Sequence, residues 1–220
     1  MQKIPRWLQS YFVDTDLESI RNLVEQIELT TQAELVPIIV RSSIDLNLFR
    51  LLLITIGFVM TLLIAPIIHS QLTWQSNFST DLIYLTLFLF FSLLAIISSN
   101  SSFWVKCFFS KAQLQHLVYQ RASSEFFAVQ LQYSESRTAV LFMYSVLERK
   151  AMIIADPHLK QFPQTLWQNA VDKMSEAAKN KQFYFGFKVA LEFVAKEISI
   201  ILPPEKINTN EISNSVIIKE

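Results

Sequence analysis

Glycine is almost missing from this sequence: Gly57 and Gly186 are the only two in 220 residues. A loop that cradles phosphate with backbone amides needs several residues without a Cβ, so a glycine-rich nucleotide site is excluded. Cysteine is rarer still. Cys107 stands alone beside Lys106, Phe108 and Phe109, which excludes an internal disulfide and a cysteine-rich metal site and fits a reducing compartment. In that setting it reads as a packing thiol, not a phosphatase nucleophile. His69, His116 and His158 are scattered, with no pair at zinc-ligand spacing. Excess charge of either sign is lacking too. Nineteen Lys and Arg balance nineteen Asp and Glu, and without a basic cluster no nucleic-acid partner is expected.

What is plentiful is apolar surface, 51% of the chain. Residues 51–68 (LLLITIGFVMTLLIAPII) and 82–97 (LIYLTLFLFFSLLAII) carry no charge, and each approaches the roughly 20 residues a helix needs to cross a bilayer. The first begins too far from Met1 to be a cleaved signal peptide. They predict a transmembrane hairpin and make the lipid bilayer a partner. Arg41 and Arg50 precede it and Lys106, Lys111 and Arg121 follow it, whereas residues 69–81 hold neither Lys nor Arg. By the positive-inside rule both long flanks face the cytoplasm. Trp74 and Trp104 are the expected interfacial anchors.

The flanks read as one α/β domain. Thr15 and Glu18 have capping-box spacing, and Leu17, Ile20, Val24 and Ile27 follow at helical intervals. Residues 33–40 (AELVPIIV) read as a strand, with Pro37 favouring an edge or bulge because it has no N–H to donate. Beyond the hairpin, Leu114, Leu117, Val118, Ala122 and Phe126 mark a helix, and residues 138–146 and 151–155 two strands joined by a tight connection. Asp156 is placed to cap a helix that Pro157 begins. Stripes through Trp167, Val171, Met174 and Ala178, and through Phe187, Leu191, Val194, Ile198 and Ile201, predict two more helices, the last stopped by Pro203 and Pro204. The expectation is a small mixed β-sheet covered by helices and interrupted by a two-helix transmembrane hairpin. Its divisions are 1–47, 48–103 for the hairpin, 104–204, and a flexible polar tail over 205–220.

Several of these segments together resemble the TPM-domain family: residues 31–36 (TQAELV), 137–141 (RTAVL), 145–149 (SVLER), 154–156 (IAD), Trp167 and 186–190 (GFKVA). The chain looks like the bacterial membrane branch of that family, in which a transmembrane pair interrupts the domain, and the resemblance spans about residues 15–204. It implies a TPM-like α/β sandwich. Chloroplast relatives with a continuous domain are linked to photosystem II repair, with proposed acid phosphatase activity and calcium binding. Ala33 and Ala139 depart from the family by standing where glycine is common, which puts any close backbone approach there in doubt.

The residues themselves offer little chemistry. Asp14 and Asp16 sit like an Asp-x-Asp nucleophile motif, yet they open a helix and lack the Thr or Val that should follow, so capping explains them better. Ser134 and Ser145 have no His and acid partner that the sequence places. No catalytic or cofactor-binding residue is assigned. A divalent metal such as calcium or magnesium has candidate ligands in Glu34, Glu148 and Asp156, acids that the ends of a sheet could gather. Glu148, Arg149 and Lys150 read as the solvated tip of the strand connection, and Arg137, Glu148 and Arg149 as candidate contacts to a protein partner. The favoured function is a non-catalytic adaptor or assembly and quality-control factor for another membrane protein, with no oligomeric state specified. The alternative is a membrane-bound, metal-dependent, phosphatase-like hydrolase.

Overall fold

Two strands far apart in sequence lie side by side in the middle of one four-stranded sheet in the structure, a computed structural model that describes residues 4–72, 80–133, 138–204 and 214–220. In chain order the elements are α1 (Asp14–Glu28), β1 (Glu34–Val40), α2 (Leu46–Leu72), α3 (Thr80–Ser98), α4 (Ser102–Phe108), α5 (Lys111–Tyr133), β2 (Ala139–Ser145), β3 (Lys150–Ala155), a 3-10 turn (Pro157–Gln161), α6 (Gln164–Lys179), α7 (Phe183–Ile201) and β4 (Ile217–Lys219). They form two units, Met1–Ser43 with Lys111–Glu220, and Ile44–Ser110.

In the first unit, β1 and β2 pair in parallel from Glu34 opposite Ala139 to Val40 opposite Ser145. Every residue of both is buried, as their continuous apolar reading requires of strands covered on both faces. β3 returns antiparallel along β2, and β4 lies parallel to the other side of β1, giving the order β3-β2-β1-β4. One face carries Leu35, Ile39, Val140, Phe142 and Tyr144 in a core shared with residues of α1, α6 and α7. The other face packs Val36, Ile38, Leu141 and Met143 with Val118, Ala122 and Phe126 of α5.

Three expectations change. The helix α1 begins at Asp14, so Thr15 lies inside its first turn, and Asp16, not Glu18, accepts the Val13 N–H at 3.0 Å. Pro37 is not on an edge strand, since β1 lies between β2 and β4. It is tolerated because Glu34 donates to Thr138 O and Val40 accepts from Val146 N on the β2 side. Alternation therefore turns Pro37 toward the other side, where β4 pairs only with Ile38 to Val40. The flexible tail ends in structure: β4 docks on β1, Arg41 N–H donates to Lys219 O at 3.0 Å, and Lys219 Nζ meets the buried Glu125 at 2.5 Å. Residues 205–213 of that tail lie outside the described residues.

With so few glycines, left-handed backbone falls to side-chain-bearing residues, Arg149 (φ 52) and Lys181 (φ 59). Lys181 follows α6, where Gln182 N donates to Ala177 O and Lys181 N to Ala178 O, closing the free carbonyls of the helix end. Gly186 is required for another reason, a close approach. A Cβ there would stand 1.9 Å from Tyr144 Oη and 2.8 Å from Ala177 Cβ. The buried Tyr144 hydroxyl donates to Met174 O at 2.8 Å, and its ring meets Phe183 and Phe187 edge-on. Burial pushes this phenol's pKa up and keeps it a donor.

In the second unit, α2 and α3 are long and apolar enough to cross a membrane, by length and composition. Leu53, Gly57, Thr61 and Ala65 form a buried stripe at every fourth residue of α2. A Cβ on Gly57 would lie 2.9 Å from Phe91 Cβ of α3, so small residues set the approach of the two helices. Large apolar side chains such as Leu51, Leu63, Leu85, Leu89 and Leu93 point outward and are exposed. Trp74 lies outside the described residues, and Trp104 sits on α4 against Phe103 and Phe108.

Replacing Gly186 by Ala forces Tyr144 out of its pocket and is expected to lower stability by about 3 kcal/mol, read as a lower midpoint in denaturant. The double replacement Gly186→Ala with Tyr144→Phe, which removes the clashing hydroxyl, should recover part of that loss.

Candidate functional site

Glu148 is the first surprise among the sequence-selected residues. It is 1% exposed, not a solvated tip. Its Oε1 accepts from Ser42 Oγ at 2.7 Å and from the Ser43 backbone N–H at 3.1 Å, and its Oε2 accepts from Ser145 Oγ. Ser43 Oγ in turn donates to Ser145 Oγ at 2.9 Å. A carboxylate buried in this way offers a partner no surface, so the candidate contact at Glu148 is overturned. The turn after β2 produces the burial: Val146 N and Leu147 N donate to Val40 O and Arg41 O at 3.0 Å, drawing the connection across the end of β1. Arg149 closes the turn, donating to Val146 O at 3.3 Å, and is half-exposed. Arg137 lies outside the described residues.

The other two acids occupy the opposite end of the sheet. Glu34 pairs with Ala139 across β1 and β2, and Asp156 N donates to Ala139 O from beyond β3. Glu34 and Asp156 thus flank Ala139, about 10 Å apart by strand spacing, whereas six residues of strand put Glu148 about 20 Å away. The three do not make one site. Among the described residues, no group of three or more His, Cys, Asp or Glu side chains is placed to hold a metal ion.

Both acids at this end are buried, and a third joins them. Glu28, the last residue of α1, is 7% exposed and accepts the Leu35 N–H at 2.9 Å through Oε1. Desolvation raises its pKa to about 8, opposed by the Leu35 hydrogen bond and reinforced by the charge of Glu34. Sequence reasoning missed Glu28 because it sits one residue past the apolar stripe of α1 and looks like ordinary helix-end polarity.

Asp156 does cap the turn begun by Pro157, accepting from His158 N at 2.8 Å. The same oxygen lies 2.8 Å from His158 Nδ1. A carboxylate can only accept, so Nδ1 carries the proton and the other ring nitrogen faces away. The Asp156 side chain is 1% exposed and that of His158 58%. Beside this pair runs a cavity of about 390 Å³ between α5 and β3, walled by Tyr119, Ser123, Phe126, Phe127 and Ile154. His158 was set aside in the sequence for want of a second ligand. Its link to the cap two residues earlier was the available signal.

No family model matches the chain, and no curated protein matches it. Among solved structures it is similar to the NMR structure of the BA42 protein from the psychrophilic bacterium Bizionia argentinensis, with a TM-score of 0.57 over 99% of each chain at 12% identity. That likeness is one of fold.

Two outcomes follow from these geometries. Glu148→Ala leaves two serine hydroxyls and the Ser43 amide without their acceptor and should cost about 3 kcal/mol of stability, whereas Arg149→Gly, at a left-handed position, should leave it unchanged or raise it by up to about 1 kcal/mol. Denaturant midpoints of the two variants check both. For Glu28 the folded pKa of about 8 lies above the ordinary 4.5. The unfolded chain therefore sheds this proton first, and stability is lost as pH rises from about 4.5 through about 8. Glu28→Gln should remove that component, so its stability relative to the parent should climb across the same window.

Proposed function

We propose that the chain is a two-pass protein of the bacterial cytoplasmic membrane, with both termini cytoplasmic and a TPM-like sandwich split by the hairpin. It acts as a non-catalytic adaptor or assembly and quality-control factor for another membrane protein. The observation that carries the reading is the contrast between the two units. In one, α2 and α3 turn their large apolar side chains outward, an arrangement suited to lipid. In the other, the buried acids are engaged in structural roles: Glu148 binds serines, Glu28 caps a strand amide, and Asp156 caps a turn. Arg41 and Arg50 ahead of the pair, and Lys106 and Lys111 after it, support the orientation. Arg149, half-exposed at the turn, is the partner contact that this reading retains.

One observation favours the second reading, a phosphatase-like hydrolase using calcium or magnesium. Glu34 and Asp156 flank Ala139 at one sheet end, and Asp156 orients His158. Two carboxylates at that separation suit a divalent ion only if the site closes around it.

Purified full-length protein assayed with generic phosphoesters in calcium or magnesium should show no turnover above background. Metal-dependent turnover lost in Asp156→Asn would sink the adaptor reading in favour of the hydrolase. A reporter fused within residues 69–81 should be active only outside the cytoplasm, and cytoplasmic activity would refute the orientation.

A further inference from the structure

The groove between α5 and β3 combines two features, of which the hydrolase reading uses only the Asp156–His158 pair. Its walls are apolar and aromatic: Phe126 is buried, Ile154 is half-buried, and Tyr119 and Phe127 stand 53% and 60% exposed along one lip. Besides the Tyr119 and Ser123 hydroxyls, its lining holds one fixed polar ring, that of His158, held through Nδ1 by the buried Asp156. Its volume, about 390 Å³, falls in the range of small-molecule sites, where a few placed polar groups orient an apolar ligand.

The state of the His158 ring selects the head group. With Nδ1–H donated to Asp156, the neutral ring offers Nε2 as an acceptor, and the protonated ring offers it as a cationic donor. An alcohol can donate to the first and accept from the second, but it brings no opposite charge to the protonated ring. A carboxylic acid serves both: the acid O–H donates to neutral Nε2, and the carboxylate accepts from the protonated ring. Asp156 is the one carboxylate among the lining residues, and it is buried whereas the His158 ring bonded to it is exposed. We infer that this groove binds a free medium-chain carboxylic acid, with the acyl chain along Phe126, Phe127 and Ile154 and the carboxyl group at His158 Nε2. The inference does not depend on the adaptor reading, since binding here requires neither a protein partner nor catalysis.

The test uses the full chain in nanodiscs, with empty nanodiscs subtracting partition into lipid. Saturable binding of decanoic acid is expected, weakened about twofold to fourfold for each methylene removed and about tenfold in His158→Ala. His158 is largely exposed, so this variant should keep the parent's melting temperature. Decanol should bind at least tenfold more weakly than the acid, and a lysophosphatidylcholine of the same chain length should not compete. Phe127→Asp, at an exposed wall position, and Ser123→Trp, which fills the groove, should each abolish binding. Equal affinity for acid and alcohol, binding unchanged in both wall variants, or no saturable binding at all would each overturn the proposal. Competition by the lysolipid would assign the groove to membrane lipid and overturn it as well.

Discussion

The fold depends on the carboxylate of Glu148 holding Ser42, Ser43 and Ser145 at one end of the sheet. Parallel strands cannot be joined by a tight turn, and here the crossover from β1 to β2 contains an entire second unit. Closing so long a loop costs entropy that must be recovered by contacts at its mouth. Ser43 is the last residue of the first unit before the insertion, and it is fixed twice, through its amide to Glu148 and through its hydroxyl to Ser145. Buried hydrogen-bond networks of this kind hold geometry more than they add net stability, because each polar atom left without a partner is costly. That asymmetry explains why a carboxyl group can occupy a fully buried position at the end of the sheet.

The rest of the sheet follows from how the side of β1 away from β2 is covered. On the side of β1 away from β2, the Leu35 amide is taken by Glu28, Pro37 has no amide to offer, and the remainder is covered by β4. Three different devices thus block one row of backbone donors, an arrangement that prevents pairing with another chain. The acids involved are consumed by this work. Glu28 stays within the domain because one strand amide outweighs part of its desolvation. Glu125 on α5 draws Lys219 and Arg121 into an ionic group that fastens the covering strand.

Periodicity made much of this legible in the sequence. The stripes of α1, α6 and α7 and the apolar runs of β1, β2 and β3 announce themselves, and two uncharged segments announce α2 and α3. Three features gave no such signal. Leu8 and Phe12 are buried in the main core from a stretch of turns, outside any helix or strand. The strand β4 is only Ile217–Lys219, too short to stand out within a polar segment. The burial of Glu148 was hidden for the opposite reason: beside Arg149 and Lys150 it looks like surface, and only the parallel register of two distant strands reveals what it faces. The Asp156 cap was legible because caps are local, while its separation from Glu148 was not, because strand order is set by packing between remote segments.

The central claim is that Met1–Ser43 and Lys111–Glu220 fold as one domain around the insertion. Replacing residues 44–110 by a flexible Gly/Ser linker tests it directly. The account predicts a single cooperative unfolding transition, with slow amide exchange at Val146 and Leu147, whose N–H groups bond Val40 and Arg41 across the chain interruption. Two separate transitions, or fast exchange at those two amides in an otherwise folded protein, would contradict it.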